Sequence, residues 1–125
     1  MAVEEIDPFE LPDWLGTADV TWSSFGSIHA GHRIAGALTV GTDSLACDLL
    51  AVDQAYPAPV VAEEWRSRSH RAWTHNQVLL LRLDGRVTLA VPGTRFSADL
   101  ALDVLGRLAR AVGAAPGRFV VSLRT

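Results

Sequence analysis

The stretch that decides the fold is residues 77–91, QVLLLRLDGRVTLAV, in which two strand-like apolar runs flank the dipeptide Asp84-Gly85. An Asp-Gly pair between two such runs is a strong signal for a two-residue β-hairpin turn. We therefore predict a hairpin in which Leu83 faces Arg86 across the turn. One face of that hairpin is then almost wholly apolar and must be covered. Its residues are Val78, Leu80, Val87, Leu89 and Val91.

We predict a helix over residues 98–112, which can pack on that face and cover it. Ser97 can cap its N-terminus, Asp99 lies in its first turn, and Gly113 follows as a left-handed terminator. A helix with only one narrow polar stripe is buried on most sides. The stripe consists of Asp99, Asp103, Arg107 and Arg110.

The rest of the chain predicts five more elements around the hairpin and this helix. Residues 17–25 mix β-branched and aromatic residues, and 33–40 follow a Gly-containing turn with near-alternation of apolar and polar positions, so both favour strands. Residues 45–55 are an apolar run typical of a third strand. Residues 58–75 have helical spacing of apolar positions, and 118–123 predicts a last strand. The order β-β-β-α-β-β-α-β predicts an α+β fold, with a mostly antiparallel sheet and two packed helices behind an irregular N-terminal arm.

Composition supports one folded domain without a membrane span. The chain has 125 residues, 49% of them apolar and 20% charged, which fits a single core. No apolar stretch approaches the roughly 18 residues that a transmembrane helix needs. The acidic start is unlike a signal peptide, and the one cysteine allows no internal disulfide. We expect a cytoplasmic protein, and eleven arginines without lysine point to a GC-rich bacterial genome.

Residues 1–16 form a predicted acidic arm ahead of a single domain at 17–125. The first 19 residues carry a charge of −6 with no base, whereas the rest of the chain carries +3. The arm also contains apolar side chains, namely Ile6, Phe9, Leu11 and Trp14. Such a segment either packs on its own domain as a strap, which we favour, or lies in a groove of a neighbouring copy or another protein.

In element order alone, the chain resembles the compact α+β domains of secretion chaperones and related adaptor proteins. The resemblance implies a dimeric binding module. A mean hydropathy of +0.20 in so short a chain also indicates surplus apolar surface. We therefore expect a non-enzymatic protein-binding or adaptor module without a cofactor. Its partner would be another protein or a second copy, contacted through Phe9, Leu11 and Trp14.

The alternative is a small metal-binding or ligand-binding protein, or an enzyme. If Ala30-Gly31 is a hairpin turn, His29 and His32 face each other with Cβ atoms about 5 Å apart. Two imidazoles at that distance could share a zinc ion, which also accepts a thiolate such as that of Cys47. A thiol in an apolar strand is, however, more often a small buried hydrophobe.

Other classes of function find less support. The chain contains no Gly-x-Ser-x-Gly nucleophile elbow, and no glycine-rich turn opens a helix to bind phosphate. Residues 65–75 interleave tryptophans with arginines and histidines, as nucleic-acid-binding segments do. Helical geometry nevertheless aligns Trp65 and Trp73 with the apolar positions, and the sequence pI is about 5.7. Nucleic acid is therefore a disfavoured partner.

Overall fold

A computed structural model describes residues 3–28, 32–52, 71, 73–75, 77–93 and 95–124. Within these ranges the chain is a small mixed α+β domain built on one eight-stranded sheet. The strands are β1 Val3–Glu5, β2 Val20–Ser27, β3 Arg33–Ile34, β4 Gly36–Val40, β5 Asp43–Val52, β6 Leu79–Leu83, β7 Arg86–Pro92 and β8 Phe119–Arg124. Two helices have both ends described, α1 Trp14–Thr17 and α2 Ala98–Ala111, and two 3-10 turns span Pro8–Glu10 and Pro116–Arg118.

The sheet is mixed, which corrects the expected strand arrangement. Its order is β1-β6-β7-β5-β4-β2-β8, with β3 also pairing to β5. Most pairings are antiparallel, but β5 with β7 and β2 with β8 are parallel. Both parallel pairs join strands that are distant in sequence, as parallel neighbours must be, because a short turn cannot connect them. Local sequence patterns carry no information about such distant pairings.

The predicted hairpin is confirmed. Strands β6 and β7 pair antiparallel, and Leu83 lies opposite Arg86. Asp84 and Gly85 both have positive φ, 53° and 77°, as a two-residue turn of this kind requires. The turn residues thus fixed the register, and the register fixed which side chains share each face.

The predicted helix cover is also confirmed. Helix α2 starts at Ser97, whose side chain accepts a hydrogen bond from the backbone N–H of Leu100. Its inner side chains join the hairpin face in one hydrophobic core together with Trp22 and Phe119. The fully buried residues of α2 are Ala101, Val104, Leu105, Leu108 and Ala109.

The opposite face of the sheet carries both apolar and polar buried residues over β5, β6 and β7, the polar ones being Asp48 and Thr88. A second cluster there consists of Leu50, Leu79, Leu81, Leu83 and Ala90. The half-buried Trp73 donates a hydrogen bond from its indole nitrogen to the carbonyl of Ala90 at 3.5 Å. The hairpin is thus buried on both faces, which explains why 77–83 reads as a nearly continuous apolar run.

The strand pairing along β5 is interrupted at Gly36. The pairs of β3 with β5 and of β4 with β5 have the same register, and continuing that register would place Gly36 opposite Cys47. The Trp22 indole nitrogen donates instead to the Cys47 carbonyl at 2.9 Å. A Cβ built on Gly36 would lie 2.4 Å from the Trp22 ring, so only glycine leaves room for this indole.

The N-terminal arm, predicted to be irregular, contains regular structure. Strand β1 pairs with β6 at the edge of the sheet, a 3-10 turn follows, and α1 precedes β2. Strand β2 begins at Val20 rather than at residue 17, because α1 occupies the preceding positions. Pairing with β6 at the edge of the sheet therefore fixes the backbone of β1, which the sequence of this segment does not determine.

Some predicted features lie outside the described residues. Of the helix expected at 58–75, Arg71, Trp73 and Thr74 are helical, and the remainder falls mostly outside. The last residues of the strand expected at 45–55 also fall outside. Among the segments in view, no helix has both the length and the apolar character of a membrane span.

We predict that Gly36→Ala lowers the free energy of unfolding by about 3 kcal/mol, because the new methyl group overpacks the Trp22 contact. Gly26→Ala is the matched control, since a Cβ at Gly26 meets no atom within 4 Å. Its effect should stay within about 0.5 kcal/mol. Urea denaturation of both variants tests this, and equal stabilities would contradict the proposed close contact.

Candidate functional site

The N-terminal arm is anchored to the core at three apolar positions. Ile6, Leu11 and Leu15 are all buried in the main hydrophobic cluster. The Ile6 backbone N–H also donates to the Leu80 carbonyl at 2.9 Å, which extends the edge pairing of β1 by one bond. The arm therefore packs on its own domain as a strap.

Between the first two anchors, the chain makes a 3-10 turn over Pro8–Glu10. A capping box holds it: the Asp7 carboxylate accepts from the Phe9 N–H at 3.0 Å, and the Glu10 carboxylate accepts from the Asp7 N–H at 2.9 Å. Pro8 at the start fixes φ for the turn. We call these residues, 7–10, the Phe9 turn.

The side chain of Phe9 projects from this turn into solvent. It is 96% exposed, although Ile6 and Leu11 on either side are 3% and 7% exposed. A turn that is anchored at both ends and capped presents its aromatic ring at little cost in conformational entropy on binding. The arrangement suits contact with another surface.

The three residues predicted to contact a partner therefore differ in their placement. Phe9 is exposed, Leu11 is buried in its own core, and Trp14 is half-buried and packs against that core. Leu11 therefore helps to hold the arm in place, whereas Trp14 packs against the core and remains partly exposed. Sequence could not separate these roles, because all three residues are large, apolar and close together.

A groove of about 910 Å³ lies beside the Phe9 turn. Pro8 lines it from the turn, the start of β6 contributes the floor, and the C-terminal end of α2 forms a wall. Apolar floor residues include Ile6, Val78 and Leu80. The groove therefore combines an apolar base with a rim that can carry charge.

Basic side chains dominate the rim of the groove. Arg71, His75 and Arg110 are exposed there, and Glu5 is the acidic side chain among the described lining residues. Arg107 is more confined: its Nη1 donates to the Gln77 carbonyl at 3.0 Å, and its Nε lies 3.1 Å from the Asp103 carboxylate. Arg107 thus ties α2 to the start of β6 and shapes the wall, while the exposed cations face solvent.

The alternative metal or ligand site does not assemble among the described residues. His29 lies outside them, His32 is half-buried, and Cys47 is fully buried within the main core. Burial raises the pKa of the Cys47 thiol, and the neighbouring Asp48 carboxylate raises it further, so the thiolate is strongly disfavoured. In the part of the chain that the structure describes, no three or more His, Cys, Asp or Glu side chains are grouped to hold a metal ion.

Asp48, on the opposite face of β5 from Cys47, forms a buried ion cluster. The Asp48 side chain is 1% exposed and contacts two guanidinium groups, with Arg33 Nη2 at 2.8 Å and Arg86 Nη2 at 2.9 Å. The Gly36 N–H donates to Asp48 Oδ1 at 3.3 Å, and Arg86 Nη2 donates to the Gly36 carbonyl at 3.0 Å. The cluster therefore satisfies both backbone groups that face the opened ladder.

These contacts decide the charge state of Asp48. Burial by itself would raise the pKa of this carboxyl, but the hydrogen bonds from Arg86, Arg33 and Gly36 outweigh burial and hold the pKa below its usual range. The same contact raises the pKa of Arg86. A carboxylate occupied by so many donors is a poor general base, so we assign the cluster a structural role.

Sequence patterns did not predict this cluster. The partners of Asp48 are 15 and 38 residues away along the chain. An acidic residue inside an apolar strand was the available signal, because a buried charge requires a partner.

No protein family, curated protein or solved structure matches this chain.

We predict that Asp48→Asn lowers the free energy of unfolding by about 3 kcal/mol at pH 7, because it leaves two partly buried guanidinium groups without their counter-ion. Asp84→Asn is the matched control. Asp84 is 59% exposed and 4.0 Å from Arg33, so its loss should cost under about 0.5 kcal/mol. Guanidinium denaturation measures both.

The loss caused by Asp48→Asn should also depend on pH. The pKa of Asp48 is lowered on folding, so its charge stabilises the native state fully above the ordinary aspartate pKa of about 3.9 and less as pH falls through the lower native value. The stability difference between wild type and variant should therefore shrink in acid. A difference that stays constant down to pH 2 would contradict the ion cluster as its source.

The Cys47 thiol should not react in the native protein. We predict that an aromatic disulfide reagent titrates no thiol in buffer at pH 8 and one thiol per chain in denaturant, because the side chain is 0% exposed and its thiolate is disfavoured. Fast native reaction would show that the thiol is accessible, which would reopen the alternative metal site.

Proposed function

We propose that this protein is a non-enzymatic protein-binding module of the adaptor or chaperone-like kind, that it acts as a homodimer, and that the Phe9 turn makes the contact. The observation that carries the proposal is the contrast within one short segment. Phe9 is 96% exposed, whereas the apolar residues that flank its turn are buried. Exposed aromatic side chains held by a rigid backbone are typical anchors of protein interfaces.

The energetics of Phe9 favour a partner. A fully buried phenylalanine side chain contributes roughly 1.5–3 kcal/mol relative to an exposed one. The capping box and the two buried anchors already order the backbone, so most of that free energy is available for association. In a two-fold dimer the contribution counts twice, since each protomer buries one ring.

Charge around the ring supports a specific contact. Asp7 and Glu10 are exposed on the turn, so any surface that receives Phe9 must tolerate two carboxylates. Such charges act on orientation and association rate more than on bulk affinity. The expected receiving surface is therefore apolar at its centre and basic at its rim.

We predict that Phe9→Ala raises the dimer dissociation constant about hundredfold or more, because two ring contacts are lost per dimer. Sedimentation equilibrium across a wide range of protein concentration measures it. The thermal unfolding midpoint of the monomer should barely change, since the Phe9 side chain makes little contact with its own chain.

Phe25→Ala is the control for that experiment. Phe25 is also a phenylalanine exposed at the surface, at 55%, but it lies on β2 rather than on the arm. Its replacement should leave the dissociation constant unchanged. A wild-type protein that stays monomeric at every concentration, or a Phe9→Ala variant that dimerises as well as wild type, would refute the proposed function.

A further inference from the structure

We infer that the groove beside the Phe9 turn is the receiving site for the Phe9 turn of a second copy of this chain, so that two copies exchange turns reciprocally. The inference rests on the proposed function and adds to it the surface that is bound. The groove is bounded by the arm, the start of β6 and the C-terminal end of α2.

Charge complementarity selects this occupant. The Phe9 turn carries Asp7 and Glu10 with no base, and it belongs to a segment with a charge of −6. The exposed charged or polar residues at the groove include Arg71, His75 and Arg110, with Glu5 as the acidic one among the described lining residues. An acidic turn meets a basic rim in this arrangement, which favours the encounter and fixes its orientation.

The apolar parts also correspond. Ile6, Val78 and Leu80 are among the residues that line the groove, and its volume of about 910 Å³ is large enough for an aromatic ring. A phenylalanine flanked by carboxylates therefore matches an apolar floor flanked by guanidinium groups. The turn's own ring does not fill the groove, because it is 96% exposed.

The positions of turn and groove allow a closed dimer. Pro8 belongs to the turn and also lines the groove, so the projecting and the receiving surfaces are immediate neighbours. A two-fold axis between them places each turn in the other copy's groove, which gives a self-complementary contact that closes at two subunits. The same surface thus supplies both halves of the interface.

The first test reverses one charge on the rim. Arg110→Glu should raise the dimer dissociation constant at least tenfold in low salt, and Arg110→Gln should raise it less. Arg95→Glu is the matched control, because Arg95 is an exposed arginine that does not line the groove. Raising sodium chloride from 50 to 500 mM should weaken the wild-type dimer severalfold but tighten the Arg110→Glu dimer, since salt screens both the attraction lost in the variant and the repulsion that the variant introduces.

A mixing experiment tests whether the exchange is reciprocal. Phe9→Ala supplies an intact groove, and Arg110→Glu supplies an intact turn. A dimer with one copy of each has one undamaged contact and one contact that carries both changes. Because the second change falls in a contact that the first has already weakened, the mixed dimer should have a dissociation constant below the geometric mean of those of the two variant homodimers. A mixed dimer whose dissociation constant equals that mean, after correction for symmetry, would show that Phe9 and Arg110 do not share a contact and would overturn the reciprocal arrangement.

Photo-crosslinking locates the receiving surface directly. Phe9 is replaced by p-benzoyl-phenylalanine in unlabelled protein, which is mixed with ¹⁵N-labelled wild type, irradiated and digested for mass spectrometry. Crosslinks between an unlabelled arm peptide and labelled peptides from residues 77–80 or 107–111 are expected. Crosslinks to labelled peptides of β2 or β8, or only within one copy, would overturn the inference.

The outcomes separate the two proposals. If Phe9→Ala weakens the dimer while Arg110→Glu behaves like Arg95→Glu, the Phe9 contact stands and the groove is not its receiver. If Phe9→Ala leaves association intact, the proposed function itself fails, whatever the rim variants do.

Discussion

The carboxylate of Asp48 holds the centre of the sheet together. Strand β5 pairs on one edge with β3 and β4 and on the other with β7, and Asp48 contacts Arg33 and Arg86 from those two sides. The ladder is open at Gly36, where Asp48 and Arg86 satisfy the backbone from one face and Trp22 reaches the Cys47 carbonyl from the other. A parallel and an antiparallel neighbour are thereby joined at one buried charge, whose removal would leave two cations unpaired.

The sheet in turn determines what the N-terminal arm presents. Because β1 is the edge strand beside β6, the chain that follows it must cross the rim of the core, where Ile6 and Leu11 are buried. The turn between these two buried residues leaves its own aromatic side chain exposed. Exposure of Phe9 and the formation of a groove beside it are consequences of the same edge pairing. The function proposed for this surface therefore rests on the fold rather than on a separate motif.

The sequence predicted the elements whose formation depends on residues close together in the chain. Asp84-Gly85 determined the hairpin and its register, and Ser97 determined where α2 begins, because turns and caps depend on neighbouring residues. Sequence did not predict the parallel pairing of β5 with β7, since that contact depends on the path of the intervening chain. Nor did it predict regular structure in the arm, where strand formation follows from an available edge on β6. The site was predicted in part: Phe9 was named, but the basic groove combines residues from distant parts of the chain.

By itself, the sequence determined an α+β domain with an apolar hairpin, a covering helix and an acidic arm that contains aromatic residues. Periodicity, turn chemistry and charge distribution are properties of short segments and can be read from them directly. Only the tertiary structure decided that Leu11 is a core residue and Phe9 an exposed one, that Cys47 is fully buried, and that Asp48 is an ionic centre. Burial and charge pairing depend on which distant residues meet in space. Two apolar residues close together in sequence can therefore differ in exposure, and two polar ones can differ in their contacts.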